Sequence, residues 1–333
     1  MAVGPFGAEE RRAPPSGLRP RRVRAPAASA PAPSLRLTVA GSPPIPHRMW
    51  SIAQNHVRVH AEAITPVPSA RGEPTTLAVL GDSIAVGIGD PVRGGAWRGF
   101  APILAGAMDV RLANVATSGA RVADVRNHQL PLALREEPDL AVVIVGMNDT
   151  MRSDFDAERM HADLDRVLSS LTAAGAAVVT IRYHDHGRVF RLPGPLRRLL
   201  AARIGELNSA LEAAAHRNGS GVVDLDRLPG AYHPSIWSVD RLHPCELGHR
   251  LLAHAFACQF AEAGVTVSGE VSLQCSGGVR VRRLDHLGWL VFKGVPWLLS
   301  RGRDLVPHLL RTLLRPSGVP ESIAAPQQNR SIG

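Results

Sequence analysis

Hydrophobic and polar positions follow a regular alternation from Thr76 onward. Short, continuous apolar runs of strand length are separated by longer segments in which apolar residues recur at the helical period. The predicted strands are 76–81, 110–115, 139–145, 176–182 and 221–225. The predicted helices are 97–107, 121–130, 156–174, 196–217 and 244–264. The alternation ends near residue 265, so we expect the folded domain to span residues 73–265.

Continuous apolar strands separated by helices are typical of a parallel sheet covered by helices on both faces. We therefore predict an α/β domain in which a mostly parallel, five-stranded sheet lies between two helical layers. In such sheets, reactive side chains collect beyond the carboxyl ends of the strands. Ser83, Asn114 and Asn148 occupy such positions in the sequence.

Four segments that follow predicted strands are expected to form the walls of a binding pocket: 88–98, 120–128, 150–155 and 183–195. The last of these (YHDHGRVFRLPGP) interrupts the pattern with glycine, proline and charged residues. A loop of this length over the strand ends fits a substrate lid, and it fits an ordinary surface connection equally well.

The segment before the domain has a different composition. Its first 46 residues contain ten prolines and a cluster of arginines, and such a stretch buries too little apolar surface to offset the entropy of ordering it. We expect residues 1–72 to be disordered. The Arg11-Arg12 pair is not followed by the apolar run of a signal peptide, so a cytoplasmic location is expected.

The segment after the domain, residues 266–333, is basic and carries many bulky apolar residues. Lys293 and Pro296 interrupt its most apolar part, so it lacks the ~20 continuous apolar residues of a spanning helix. The interpretation that we favour is a set of amphipathic helices packed on the domain, with a disordered end. The alternative is peripheral contact with an anionic membrane surface.

The net charge of +9 suggests at first a nucleic-acid partner. The charge is confined to the ends, because residues 1–72 carry ten Arg against three acids and residues 276–333 carry nine basic residues against three acids. The domain between them is mildly acidic. A basic stripe with interleaved aromatic residues is missing from the sequence, which argues against nucleic-acid binding.

Metal and disulfide chemistry find little support in the sequence. The three cysteines, Cys245, Cys258 and Cys275, form no CxxC pair and are odd in number. The run His184-Asp185-His186 has the composition of a metal site, but adjacent residues rarely converge on one ion and no third ligand has suitable spacing. We expect neither a metal nor another cofactor.

The first predicted strand ends in Gly81-Asp82-Ser83, followed by Gly87 and Gly89. A phosphate loop would require a lysine, yet the first lysine is Lys293. The GxGxxG pattern of dinucleotide sites and the GxSxG pattern of α/β-hydrolases are also missing. What remains is a serine at a strand-to-helix turn, where a hydroxyl lies beside backbone N–H groups. This suits a nucleophile, although most serines in this position are helix caps.

A nucleophilic serine requires a base, and the sequence Asp240-Arg241-Leu242-His243 offers one. A carboxylate three residues before a histidine can fold back to hold the imidazole Nδ1–H, which leaves Nε2 free to take the proton of Ser83. The alternative is that Asp240 caps the following helix and that His243 is a buried polar residue.

Four short blocks, in this order along the chain, resemble the four blocks that mark the SGNH (GDSL-type) hydrolases. They are GDSIAVG at 81–87, NVATSG at 114–119, GMND at 146–149 and DRLH at 240–243. Each block alone is a weak signal, whereas four in the right order, each at a predicted strand end or loop, make a specific one. The resemblance covers residues 76–265 and neither tail.

The resemblance implies roles for five residues. Ser83 would be the nucleophile, His243 would be general base and then general acid, and Asp240 would orient His243. The backbone N–H groups of Ser83 and Gly119 and the side-chain amide of Asn148 would form the oxyanion hole. The resemblance also implies a doubly wound, flavodoxin-like α/β/α sandwich.

Other polar residues near the four blocks are expected to be structural. Asp82, Asn114 and Asp149 would fix turns, His249 would pack within or on the last predicted helix, and Cys245 would begin that helix.

The function that follows is a serine hydrolase that cleaves carboxylic esters through an acyl-enzyme. Two alternatives stay open: an acyltransferase that uses the same acyl-enzyme, and a non-catalytic binding protein on the same fold. We expect the partner to be a small-molecule ester and the protein to be a monomer.

Overall fold

The computed structural model describes residues 74–190, 192 and 194–276. Its centre is a five-stranded sheet in the order β2-β1-β3-β4-β5, with every neighbouring pair parallel. The strands are β1 (Thr76–Gly81), β2 (Arg111–Asn114), β3 (Leu140–Ile144), β4 (Ala177–Arg182) and β5 (Gly221–Asp224). This order is that of the flavodoxin-like doubly wound fold, so the predicted fold class is confirmed.

Helices connect the strands and cover both faces of the sheet. In chain order they are α1 (Ser83–Val86), α2 (Phe100–Met108), α3 (Val122–Asp124), α4 (Leu130–Arg135), α5 (Met147–Thr150), α6 (Ala157–Ala173), α7 (His186–Phe190), α8 (Gly194–Arg217) and α9 (Glu246–Glu262). A π-helical segment, Val125–Gln129, joins α3 to α4, and short 3-10 turns lie at Leu225–Arg227 and Pro234–Ile236. Helices α2 and α9 pack together on one face, and α6 and α8 pack together on the other.

Burial explains the continuous apolar runs. Every residue of β1 and of β3 is buried, because these two strands pair with each other in the middle of the sheet and are covered on both faces. Helix α6 shows the complementary pattern: Met160, Leu164, Val167 and Leu171 repeat at the helical period and are buried. The Asp156 carboxylate caps its first turn by accepting from the Arg159 N–H.

Two predicted helices begin later than expected, for local reasons. The predicted helix 97–107 begins at Phe100, because Pro91 and Trp97 form an isolated antiparallel bridge and Gly99 has φ +70°. The predicted helix 244–264 begins at Glu246, because Pro244 forms another such bridge with Trp237.

The tails fall mainly outside the described residues. The segment 1–72, where disorder is predicted, lies wholly outside them, and so does most of the segment 266–333, where amphipathic helices or membrane contact are predicted. Residues 266–276 are described and lie against the domain, where Val271 is buried and the Gly269 N–H donates to the Ala107 carbonyl. Within the described part of the chain, no helix combines the length and the apolar character that crossing a membrane requires.

Candidate active site

A sharp turn at the end of β1 presents Ser83. Gly81 has φ +146°, and a Cβ at this position would lie 2.0 Å from the Ile144 carbonyl oxygen, so only glycine fits here. The next residue, Asp82, caps helix α1, since its Oδ1 accepts from the Ile84 N–H at 3.0 Å. Ser83 therefore occupies the first position of a helix that starts directly at the edge of the sheet.

The Ser83 hydroxyl lies in a chain of hydrogen bonds with an imidazole and a carboxylate. Ser83 Oγ is 2.8 Å from His243 Nε2, and His243 Nδ1 is 2.6 Å from Asp240 Oδ2. A carboxylate only accepts, so the neutral imidazole carries its proton on Nδ1 and offers the Nε2 lone pair to the serine. The three residues singled out from the sequence are thus brought into direct contact.

The loop that carries His243 is shaped around the second oxygen of Asp240. Asp240 Oδ1 accepts from the Leu242 N–H, the His243 N–H and the Ser238 hydroxyl at 2.7–3.0 Å. Burial raises the pKa of this carboxyl, but these hydrogen bonds and the neighbouring imidazole outweigh burial and lower it to about 2. Asp240 is therefore an anion over the whole neutral range.

The loop also contains a strained residue. Arg241 has φ +54°, a left-handed conformation that costs a residue with a Cβ about 1–2 kcal/mol. Its N–H donates to the Ser238 carbonyl, and the Ser238 N–H donates to the His243 carbonyl. The turn thus closes on itself while Asp240 and His243 face each other.

Asp82 carries the opposite electrostatic signature. Burial raises the pKa of its carboxyl to about 6, against the lowering effects of the Ile84 N–H and of His243. Its position as the cap of α1 accords with the structural role expected for it.

The residues expected to form the oxyanion hole differ in their setting. Asn148 lines the cavity beside Ser83. One of its two amide hydrogens is donated to the Ala120 carbonyl at 3.1 Å, and within the described ranges the second meets no acceptor. Gly119 is exposed, has φ +80° and does not line the cavity. Among the described residues, the N–H groups of Ser83 and Gly119 meet no acceptor.

Two polar side chains near the site, Asp149 and Asn114, hold turns of the backbone. Asp149 accepts from the Val122 N–H and from the Arg121 guanidinium, both at 3.1 Å. Asn114 accepts from the Ala116 N–H and donates to the Ala85 carbonyl. Both residues fix turns, as expected from their positions.

A largely apolar cavity opens beside Ser83 and His243. The space open to water-sized molecules within it is about 50 Å³. Its apolar wall includes Met147, Met151, Ile181, Leu225, Trp237 and Leu251. Two of the four segments predicted to form walls, 150–155 and 183–195, do contribute.

The other two predicted wall segments, 88–98 and 120–128, contribute no residue to this cavity. The missing wall comes instead from residues 225–237 and from α9. The Leu225–Arg227 and Pro234–Ile236 turns carry no periodic sequence signal, so sequence reasoning missed them.

Three further histidines close to the site are buried: His184, His186 and His249. His184 and His186 hydrogen-bond to each other at 3.0 Å and line the cavity. His249 is fully buried with Nε2 at 3.0 Å from the Ile88 carbonyl, and burial lowers its pKa to about 4. Within the described ranges, no cluster of three or more His, Cys, Asp or Glu side chains is placed to hold a metal ion.

The three cysteines are free, and their surroundings suppress their reactivity. Burial raises the pKa of each thiol, to about 11 for Cys258 and Cys275. Cys245 is the residue that precedes the first turn of α9. None of the three is a thiolate nucleophile at neutral pH.

Residues 79–251 match the family model described as "GDSL-like Lipase/Acylhydrolase family". A comparison with curated proteins returned no match.

Three solved structures are similar to this chain. LAE5, an α/β hydrolase enzyme from the metagenome of Lake Arreo, Spain, is 22% identical and has a TM-score of 0.46, covering 57% of this chain and 95% of its own. The psychrotrophic esterase EstA from Pseudoalteromonas sp. is 17% identical and has a TM-score of 0.45, covering 56% of this chain and 97% of its own. The acetylxylan esterase Axe2 from Geobacillus stearothermophilus is 19% identical and has a TM-score of 0.46, covering 59% of this chain and 96% of its own.

Proposed function

This chain belongs to the GDSL-like Lipase/Acylhydrolase family and is a carboxylic ester hydrolase, and from that premise we propose that it works through a nucleophilic serine, Ser83. The observation that carries the proposal is the continuous hydrogen-bond chain from Ser83 Oγ through His243 to Asp240, with links of 2.8 and 2.6 Å.

The chemistry follows from which atoms hold protons. His243 Nε2 takes the hydroxyl proton as Ser83 Oγ attacks the ester carbonyl, and the imidazolium then protonates the leaving alcohol. Asp240 stabilises that imidazolium, since it stays ionised at neutral pH. Water attacks the resulting acyl-enzyme by the same route, and the acid leaves.

Negative charge on the carbonyl oxygen needs fixed donors. The second amide hydrogen of Asn148 and the N–H groups of Ser83 and Gly119, which meet no acceptor in the described part of the chain, are the candidates. An amide suits this role because it donates without titrating. Loss of one such donor costs on the order of 10²–10³ in rate.

The cavity indicates what kind of acyl group fits. Its wall is largely apolar, which favours a hydrocarbon chain over a charged or sugar-like group. One water molecule needs roughly 10–15 Å³ of the volume that is open to water-sized molecules. The 50 Å³ of such volume in this cavity therefore holds about three to five groups of the size of a water molecule or a methylene. We therefore propose esters of short acyl chains as substrates.

The test is covalent labelling combined with turnover. A fluorophosphonate should label the wild-type protein at Ser83, and the wild type should hydrolyse p-nitrophenyl acetate and butyrate faster than the corresponding decanoate. Ser83→Ala should abolish the adduct and lower turnover by roughly 10⁴-fold or more, with an unchanged melting temperature. A wild-type protein that forms no adduct and releases no nitrophenol would leave the serine mechanism without support and favour a binding role.

A further inference from the structure

Two buried histidines beyond the proposed catalytic residues contact the loop that carries Asp240 and His243. His184 and His186 follow strand β4, and only 4% and 3% of their surfaces are exposed. His186 Nε2 lies 3.1 Å from the carbonyl oxygen of Arg241, which stands between the two site residues in sequence. This contact joins the start of α7 to the Asp240–His243 turn.

The Arg241 carbonyl determines which atoms donate in the bonds that link His184, His186 and Arg241. A carbonyl oxygen only accepts, so His186 donates from Nε2. Burial lowers the pKa of both imidazoles, for His184 to about 4, so each is neutral at neutral pH. His186 Nδ1 is then an acceptor, and it receives the Nε2–H of His184 at 3.0 Å. The bond from His184 is thus compatible with the tautomer in which His186 donates to Arg241, and it stabilises that tautomer.

The His186 ring is held by its neighbours. It meets Phe190 edge-on at 4.6 Å and Trp237 edge-on at 5.1 Å between ring centroids. Trp237 is itself anchored through its indole N–H, which donates to the Ala231 carbonyl at 2.9 Å. A ring confined in this way keeps its Nε2 at one place.

Several other hydrogen bonds of the turn are internal to it. The Asp240 carboxylate, the Ser238 hydroxyl and the backbone N–H groups of residues 241–243 bond to one another. Internal bonds set the shape of the turn but not its distance from the sheet. The His186 bond comes from a separate element, and it reaches the peptide of Arg241, whose left-handed backbone (φ +54°) separates Asp240 from His243.

We infer that His186 is a positioning residue, which holds the Arg241 carbonyl and thereby keeps His243 Nε2 within reach of Ser83 Oγ, and that His184 sets the tautomer that makes this possible. The inference rests on the proposed serine mechanism, because it concerns the placement of its base. Neither histidine exchanges a proton with substrate in this role.

Three variants separate the role of the donor from that of the ring. His186→Phe keeps a ring between Phe190 and Trp237 but removes the donor. His186→Gln keeps an N–H donor near the Nε2 position. His254→Leu removes another partly buried histidine, which does not line the cavity and whose partner is Cys258 in its own helix. It controls for histidine loss as such.

We expect His186→Phe to lower kcat on p-nitrophenyl butyrate by roughly 10–100-fold, a larger effect than any change in KM, because misplacement of the base affects the chemical step while the phenyl ring keeps a wall at this place in the cavity. His186→Gln should recover most of the loss, and His254→Leu should match the wild type. In ¹⁵N-histidine NMR spectra, the wild type should show His186 and His184 as Nε2–H tautomers. His186→Phe should shift or broaden the low-field resonance of the His243 Nδ1–H.

The outcomes discriminate between the two proposals. If the wild type forms the fluorophosphonate adduct but folded His186→Phe retains wild-type kcat and an unchanged His243 resonance, the positioning role is wrong and the serine mechanism stands. An Nδ1–H tautomer for His186 would likewise overturn the inference. If the wild type forms no adduct, the serine mechanism itself fails. Should His186→Phe not fold, the tautomer assignment in the wild type still decides the question.

Discussion

The hydroxyl of Ser83 and the imidazole Nε2 of His243 lie 2.8 Å apart, although 160 residues separate them along the chain. Ser83 follows β1, an interior strand of the sheet, whereas His243 precedes the last described helix. Their contact depends on the packing of α9 against α2, β4 and β5. The candidate site is thus a product of the whole domain and not of one local motif.

Asp240→Asn tests the orientation of the base. The variant should lower kcat by roughly 10²–10⁴-fold, because an amide can no longer stabilise the imidazolium.

The same variant also tests the ionisation of Asp240. The pKa of Asp240, lowered to about 2, lies below that of the unfolded chain, so its ionised form stabilises the fold above pH 4 by about 2 kcal/mol. That stability is lost as the pH falls from 4 to 2, so the difference in unfolding free energy between wild type and variant should narrow there. Urea denaturation at several pH values measures it, and a constant difference would contradict the assignment.

Asp82→Asn tests the buried cap. Burial raises the pKa of Asp82 to about 6, above its unfolded value. Its stabilising effect is therefore complete below about pH 4 and is lost as the pH rises through 6, a change of about 3 kcal/mol. An asparagine keeps the oxygen that accepts from Ile84 and does not titrate. The unfolding free energy of the wild type should fall relative to the variant between pH 4 and 6. Urea denaturation at several pH values measures this. If the unfolding free energies of wild type and variant change with pH in parallel, the pKa of Asp82 is not raised.

Asn148→Ala removes the amide of the proposed oxyanion hole. We expect kcat to fall by roughly 10²–10³-fold with KM nearly constant, because the donor acts on charge that develops in the transition state. Asn148 also donates to the Ala120 carbonyl, so thermal melting must be compared with the wild type as a control. A raised KM at unchanged kcat would assign Asn148 to substrate binding instead.

Gly89→Ala and Gly94→Ala form a matched pair. Both glycines have left-handed backbones, with φ +104° and +94°. A Cβ on Gly89 would lie 2.0 Å from the Pro244 carbonyl oxygen and 3.1 Å from His243 Cβ, whereas one on Gly94 meets no atom within 4 Å. Gly89→Ala should therefore lower both stability and kcat, while Gly94→Ala shows only the backbone cost of about 1 kcal/mol. Equal effects in melting and turnover would mean that the contact with Pro244 is unimportant.

The sheet could be predicted from the sequence because the burial of its strands requires a residue pattern that each strand shows by itself. Strands β1 and β3 lie within a residue or so of the predicted segments 76–81 and 139–145. Their complete burial demands uninterrupted apolar side chains, and that pattern is directly visible. The long helix α6 was predicted at 156–174 for the same reason, since its buried face repeats at the helical period.

The short elements could not be predicted, because caps and contacts define them and not periodicity. Helices α1, α5 and α7 span only four or five residues, too few to show a helical period. Helix α1 depends on the Asp82 cap and on the close approach of Gly81 to Ile144. Nothing in the sequence around β1 indicates that approach.

For the candidate site, the sequence predicted the residues that meet at Ser83 better than the walls around them. Ser83, Asp240 and His243 were identified because each has a chemical role and a recognisable neighbour. The contact of His186 with the Arg241 carbonyl was missed, because a backbone acceptor leaves no mark in the sequence. The run His184-Asp185-His186 has the composition of a metal site, although its spacing argued against one, and the mutual hydrogen bond of the two imidazoles was not foreseen.

The late position of His243 in the chain has a consequence for synthesis. A growing polypeptide that has already formed β1 to β5 carries Ser83 at the sheet edge but has no base beside it, since residues 240–262 are still to be made. Under the proposed mechanism, a nascent chain of that length holds an inert serine. On that mechanism, ester cleavage reports that α9 has docked, and hydrolysis kinetics on ribosome-bound chains of increasing length would time that step.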